Sequence, residues 1–244
     1  GTICLLPAQS FNEYGQSPHN YWGSELGDPM SELLKRVSKG KITLDEKPGI
    51  ALVRRLLEEL QISESSQILV FSRTSLQRGV VSPTNPRAIY FNDEVYLGWM
   101  PNGRIEIASS DPKKGFIFFF QRELSDQKAP LFSRDRVCIE CHAGSATNFL
   151  PGPLARSVFP DSRGRSLKSV DSFELIGHEV PVHERWGGWY VTRAHRGLNH
   201  MGNAIAIKEN GRLKLKRKDP SKGLNVFFNT SNYPVSTSDI DALL

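Results

Sequence analysis

Cysteine is scarce in this chain: three residues in 244, with three methionines and six histidines. Three thiols cannot build the disulfide framework that holds a small, coreless secreted domain. Long apolar runs are missing as well. The densest are ICLLPA at 3–8 and GFIFFF at 115–120, far below the roughly 18 residues a membrane-spanning helix needs. There is no low-complexity tract and no internal repeat, which excludes solenoid and linker-like architectures. What remains is an ordinary globular composition, 39% hydrophobic and 23% charged, in a chain long enough to bury one large core.

The balance of charge is basic, +5 with a pI near 9.1, and the cations thicken at RLKLKRKDPSK, residues 212–222. Strand alternation places Arg212, Lys214 and Lys216 on one face and Leu213 and Leu215 on the other. Such a face is ordinarily solvated; docking of an acidic redox partner protein is the functional alternative. Neither a recognised binding motif nor an aromatic-basic stacking pattern accompanies the charge, so nucleic acid is not an expected partner.

Two of the three cysteines are concentrated in one motif, DRVCIECHAG at 135–144. Cys138 and Cys141 stand at i and i+3, on one side of a helical turn, and His142 follows directly. With this chain's Cys and His content, a C-x-x-C-H match arises by chance in about one such chain per thousand. Three chemistries use paired thiols. Zinc needs four ligands, and after Cys138 and Cys141 only Cys4 and scattered histidines are left. A redox dithiol belongs at the start of a helix after a buried strand, whereas SRDRV, the run before Cys138, is charged. Covalent attachment of one haem c uses all three residues: two thioethers to the porphyrin vinyl groups and the imidazole of His142 as an axial iron ligand.

Periodicity gives the surroundings. Residues 28–40 predict a helix: Asp28 caps it, Pro29 takes the first turn, Met30, Leu33, Leu34 and Val37 form one stripe, and Gly40 stops it. Met30 is a packing residue on that stripe, not an iron ligand. A second helix, about 48–61, carries Ile50, Val53, Leu56, Leu57 and Leu60. The period then changes to two in QILVFSR (67–73), RAIYFN (87–92), VYLGWM (95–100), RIEIAS (104–109) and GFIFFFQ (115–121), with Asn102-Gly103 marking a tight hairpin. Strands resume at 187–194, 203–209 and 212–216, the last two joined by Asn210-Gly211. The expectation is an α+β fold, an antiparallel β-meander packed with two N-terminal helices. One domain spans 1–244: helices and meander over 21–121, a loop-rich haem-binding region over 122–185, and C-terminal strands over 186–244.

On the side of His142, PGPL at 151–154 resembles the Gly-Pro-x-Leu segment of small class I cytochromes c, and by that likeness the Pro153 carbonyl accepts the imidazole's second N–H. For the opposite side of the iron the richest stretch is residues 178–203, with four of the histidines, two tryptophans, three arginines and Met201. His200, then Met201, then His195 are the candidate second axial ligands. Trp186, Trp189 and Tyr190 are candidate pocket walls, although aromatics beside two glycines also serve as plain core. Arg185 and Arg193 are candidate propionate partners. His178, His195 and His200 together would also suit a separate copper or zinc ion.

Several segments, DPMSELLKRVSKGKITLD, LVFSRTSLQ, SPTNPRAIYFNDEVYLGWM, the C-x-x-C-H motif, RSVFPDSRGR and RWGGWYVT…HMGN, resemble a family of exported cytochrome c-like proteins of environmental bacteria, over about residues 21–207. The resemblance implies haem on Cys138, Cys141 and His142, with NPRAIYFND and HMGN in its surroundings. RAHR at 193–196 departs from a glycine-containing pattern in that family, which counts against His195. Haem attachment to such motifs takes place outside the energy-transducing membrane, so a periplasmic or otherwise extracytoplasmic protein is expected. A start at Gly1 in place of Met agrees with removal of an export signal or anchor. Two functions follow. A six-coordinate iron suits electron transfer; an open distal site suits a haem enzyme or gas-binding protein, resembling β-rich cytochromes of the P460 and c′-beta type.

Overall fold

In the computed structural model, residues 14–17, 19–23, 25–44, 49–122, 131–167, 174–175, 180–192, 199–210, 212–219 and 221–238 are described. The two predicted helices are present as α1 (Pro29–Ser38) and α2 (Ile50–Glu59). Asp28 caps α1, its Oδ1 accepting the Met30 and Ser31 N–H groups at 3.1 Å each. The Met30 N–H also reaches Ser109 Oγ at 3.1 Å, which ties the start of the helix to the sheet. α2 begins after Gly49 without a side-chain cap, and packing holds it: Leu52, Val53, Leu56 and Leu57 are all buried.

Against these helices lies a seven-stranded antiparallel sheet built from β1 (Ile68–Val70), β2 (Arg87–Phe91), β3 (Val95–Trp99), β4 (Glu106–Asp111), β5 (Gly115–Gln121), β6 (Phe132–Arg134) and β9 (Trp189–Tyr190). The first six follow one another as a meander, and β9 adds outside β1. The short β6 has no signal in the sequence, since Phe132-Ser133-Arg134 is too brief to show a period. After it comes α3 (Arg136–His142). Two small antiparallel pairs stand apart from the main sheet: β7 (Arg156–Ser157) with β8 (Glu174–Leu175), and β10 (Ala204–Glu209) with β11 (Arg212–Arg217). The Asn210 turn closes tightly, with Glu209 paired to Arg212.

The hairpin at Asn102 differs from the tight turn predicted there. Asn102 does take the left-handed conformation, φ 60°, but the ladder stops at Gly98–Glu106. Side chains take over the backbone groups in between: Gln77 accepts from Arg104 N at 2.7 Å and donates to its carbonyl at 2.8 Å, and Gln121 accepts from Ile105 N at 3.0 Å. With their backbone groups satisfied by those amides, residues 100–105 form a wider loop.

Alternation gives the sheet two distinct faces. Ala88, Tyr90, Val95, Leu97, Trp99, Ile107, Ile117 and Phe119 point to the helix side and are buried in the main core with Leu33, Leu56 and Leu57. The opposite face carries Ile68, Val70, Arg87, Ile89, Phe91, Tyr96, Gly98, Glu106, Ala108, Phe116, Phe118 and Phe120, as the pairing register requires. On this second face β2 and β4 show half-buried residues wherever their first face is buried.

Because Asp28 is fully buried and satisfies two helix N–H groups, Asp28→Ala is expected to lower unfolding free energy by about 1–2 kcal/mol. Urea unfolding followed by far-UV circular dichroism measures it; a change within about 0.5 kcal/mol, the range of an inconsequential surface substitution, would refute the cap's importance.

Candidate functional site

The C-x-x-C-H residues occupy α3, whose N-cap Asp135 accepts the Val137 N–H at 3.1 Å. Cys138 and Cys141 are not joined to each other as a disulfide, and they sit at different depths, Cys138 buried and Cys141 exposed. Burial, with Asp135, Glu106 and Cys141 adding to it, pushes the Cys138 thiol up to about 12. Redox dithiols have the opposite property, a lowered pKa that makes thiolate available, so the geometry counts against that chemistry. Among the described residues no group of three or more His, Cys, Asp or Glu is assembled to hold a metal ion. His178, His195 and Cys4 lie outside the described residues.

His142 ends α3 and is held from three directions. Its ring stacks on Phe118 of β5, centroids 4.4 Å apart and planes 34° from parallel. Nδ1 lies 2.9 Å from the Gly152 carbonyl, and Gly152 N–H returns a 2.9 Å bond to the His142 carbonyl. Thr147 Oγ1 donates to the same carbonyl at 3.2 Å. Burial pulls the imidazole pKa down; the Gly152 bond opposes that, Arg87 and Arg156 assist it, and Glu106 opposes it. The ring is therefore neutral at pH 7, with its proton on Nδ1 where the carbonyl receives it, and Nε2 carries the lone pair. Among the described residues Nε2 has no hydrogen-bond partner.

Gly152, not Pro153, is thus the acceptor, a correction of one residue. The bond to His142 is half of a reciprocal pair, and proline has no N–H to supply the other half. The loop is fastened to the sheet next door: Phe116 N–H donates to Pro151 O at 3.0 Å. Gly115 allows this approach, since it holds φ +73° and a Cβ there would lie 2.7 Å from that carbonyl. Tyr14 OH closes the loop from outside, donating to the carbonyls of Ala143 and Phe149.

From Gly152 the chain reaches Ala155 in three residues, a span of at most about 11 Å. Ala155 packs against Trp186, Trp189, Val191, Ile68 and Val70. Trp189 pairs with Val70, so its indole projects on the same sheet face as Phe118; its Nε1 donates to Arg156 O at 2.7 Å. The two tryptophan rings meet edge to face at 5.7 Å. Tyr190 does not belong with them. One position along the strand it points through to the other face, where its ring packs with Phe71, Phe227 and Phe228 and its OH donates to Pro83 O at 2.7 Å. Tyr190 is core.

Residues 199–203 run beside the tryptophan segment, with Met201 N–H on Arg185 O at 2.8 Å and Asn203 N–H on Trp189 O at 2.9 Å. His200 and Met201 are both buried. His200 Nδ1 accepts the Gly202 N–H at 3.0 Å, and burial, followed by Arg217, lowers its pKa. Arg185 turns its Nε to the Val180 carbonyl at 2.6 Å. Arg193 and His195 lie outside the described residues.

The sheet face between His142 and the tryptophans contains residues that motif reading did not single out. Phe91, Tyr96 and Phe116 form an aromatic band, with centroid separations of 5.7 and 5.9 Å. Arg87 crosses the strand at Gly98 to meet Glu106, whose other oxygen accepts from Gln77 Nε2 at 3.0 Å. Arg87, Ile89 and Phe91 do fall within NPRAIYFND. Phe118 was hidden because GFIFFFQ is apolar on both faces, so its pattern does not say which phenylalanine meets the histidine.

Compared with family models, curated proteins and solved structures, the chain matches none.

In the folded protein with both thiols free, Cys141 is expected to react with iodoacetamide at pH 8 while Cys138 resists. A thiol titrating at about 12 is thiolate in about one molecule in ten thousand at that pH, and burial blocks access as well. Peptide mass mapping reads the sites; equal labelling in the folded protein would contradict the placement of Cys138.

Proposed function

We propose that this chain is an extracytoplasmic c-type cytochrome with one haem covalently attached at Cys138 and Cys141 and His142 as axial ligand, and that its function is electron transfer. The observation that carries the reading is His142: a half-buried, neutral imidazole whose Nδ1–H is fixed on a backbone carbonyl and whose Nε2 has no hydrogen-bond partner among the described residues. That is the tautomer and the anchoring that a metal-ligating histidine needs. Haem supplies a reversible one-electron iron couple. The chain's own part is to hold the imidazole against Phe118, to offer Cys138 and Cys141 from one turn of α3, and to present apolar surface to a macrocycle.

The half-buried sheet face supports the same reading. Ile89, Phe91, Tyr96, Ala108, Phe116 and Phe120 are only partly covered by protein, and Phe118, also on this face, lies under His142. Aromatic surface of this kind suits a flat apolar group. An exported location follows from the attachment chemistry, and the basic β11 face, with Arg212, Lys214 and Lys216 exposed, suits an acidic redox partner.

A second reading is an open distal site of the P460 or peroxidase kind, supported by size, since 244 residues are far more than a simple electron shuttle needs to wrap one haem.

Optical spectra of the ferric and ferrous protein, with and without carbon monoxide, separate these outcomes. Electron transfer predicts a covalent c-type haem whose ferrous spectrum is unchanged by the gas; a shifted Soret band assigns the open site. Cys138→Ala with Cys141→Ala is expected to abolish covalent haem, detected by in-gel haem staining after denaturation. Retained staining in the double variant would overturn the attachment site.

A further inference from the structure

We propose that the Arg87–Glu106 ion pair sets the redox potential of the haem site, acting as a largely buried charge pair on the sheet face that carries Phe118 beside His142. This rests on the haem reading above and adds two residues to it.

The geometry begins with register. On the face that bears Phe118, one row across the sheet reads Ile68, Ile89, Gly98, Glu106 and Phe120; the neighbouring row reads Phe91, Tyr96, Ala108 and Phe118. Glu106 is therefore a diagonal neighbour of Phe118, about 7–8 Å away between Cα atoms, and His142 stacks on that phenylalanine. Arg87 arises two strands from β4, with Val70 opposite it and Trp189 beyond. Its guanidinium reaches Glu106 over Gly98, where a Cβ would stand 2.4 Å from an Arg87 terminal nitrogen. Glycine at 98 gives the guanidinium a path that any other residue would block.

Both partners are largely withdrawn from water, with side chains 22% and 17% exposed. The Arg87 Nε is buried and makes no hydrogen bond among the described residues. A surface ion pair would be screened and worth little; this one is held by Gln77 on Glu106 and lies in partly apolar surroundings where charges act at longer range.

The sign of the effect follows from charge. Reduction of the iron removes one positive charge, so a nearby cation favours the reduced state and a nearby carboxylate the oxidised one. Arg87→Met, which leaves Glu106 unopposed, is expected to lower the midpoint potential. Glu106→Gln, which keeps the shape and leaves Arg87 unopposed, is expected to raise it. Each shifts the reduction equilibrium by about tenfold, or about 59 mV for one electron, and the double variant returns near the parent.

The test is a potentiometric titration of the haem-loaded protein and these three variants, followed optically, after haem staining has established covalent attachment in each. Opposite shifts with recovery in the double variant support the proposal. Intact covalent haem with unmoved potentials, or with both single variants shifting the same way, overturns it and leaves the haem reading standing. A parent protein without covalent haem overturns both. Should Arg87→Met fail to fold, Glu106→Gln decides by the sign of its shift, a rise supporting the proposal and no change or a fall refuting it.

Discussion

Successive residues of a strand face opposite ways, and this single constraint organises the molecule. The meander from β1 to β6 gives one set of side chains to α1 and α2 and the other set to the side where α3 and the 142–158 segment lie. The first set is a conventional apolar core. The second mixes aromatics, two small residues and one ion pair, and its Phe118 joins Cys138, Ile139 and Ala143 of the α3 region in one buried cluster. The difference in role between Trp189 and Tyr190, adjacent in sequence and one buried on each face, is a direct result of that alternation.

On the second face the histidine is placed by backbone, not by other side-chain charges. Gly152 and His142 exchange two hydrogen bonds, Pro151 accepts from the edge of β5, and Gly115 makes room for that contact. These are backbone groups, and the Phe118 ring and the Thr147 hydroxyl add side-chain contacts to His142. Its neutrality comes from burial, and the unpartnered Nε2 is what remains once Nδ1 has been fixed. Cys138, at the inner side of the same short helix, is kept protonated by burial, whereas Cys141 stays in contact with solvent. The thiols are thus unequal in the folded chain, although the motif presents them as equivalent.

Much of the fold was legible in advance because its signals are local. Asp28, Pro29 and Gly40 bound α1, and the two-residue period marks β2 and β4 without knowledge of their partners. The C-x-x-C-H motif was equally plain, since Cys138, Cys141 and His142 are neighbours. The misplaced details are those settled at a distance. The hairpin at Asn102 is widened by Gln77 and Gln121, the acceptor for His142 is chosen by a reciprocal bond at Gly152, and Tyr190 is drawn to Phe227 and Phe228.

The sequence by itself therefore determined the α+β class, the antiparallel order of the meander, the cap of α1 and the C-x-x-C-H motif, because each depends on residues close together in the chain. Only the tertiary structure decided that Phe118 meets His142, that Arg87 passes over Gly98 to Glu106, and that Trp189 shares their face. Those contacts depend on strand register and on which side of a sheet the chain returns to, and neither is encoded in any short stretch of residues.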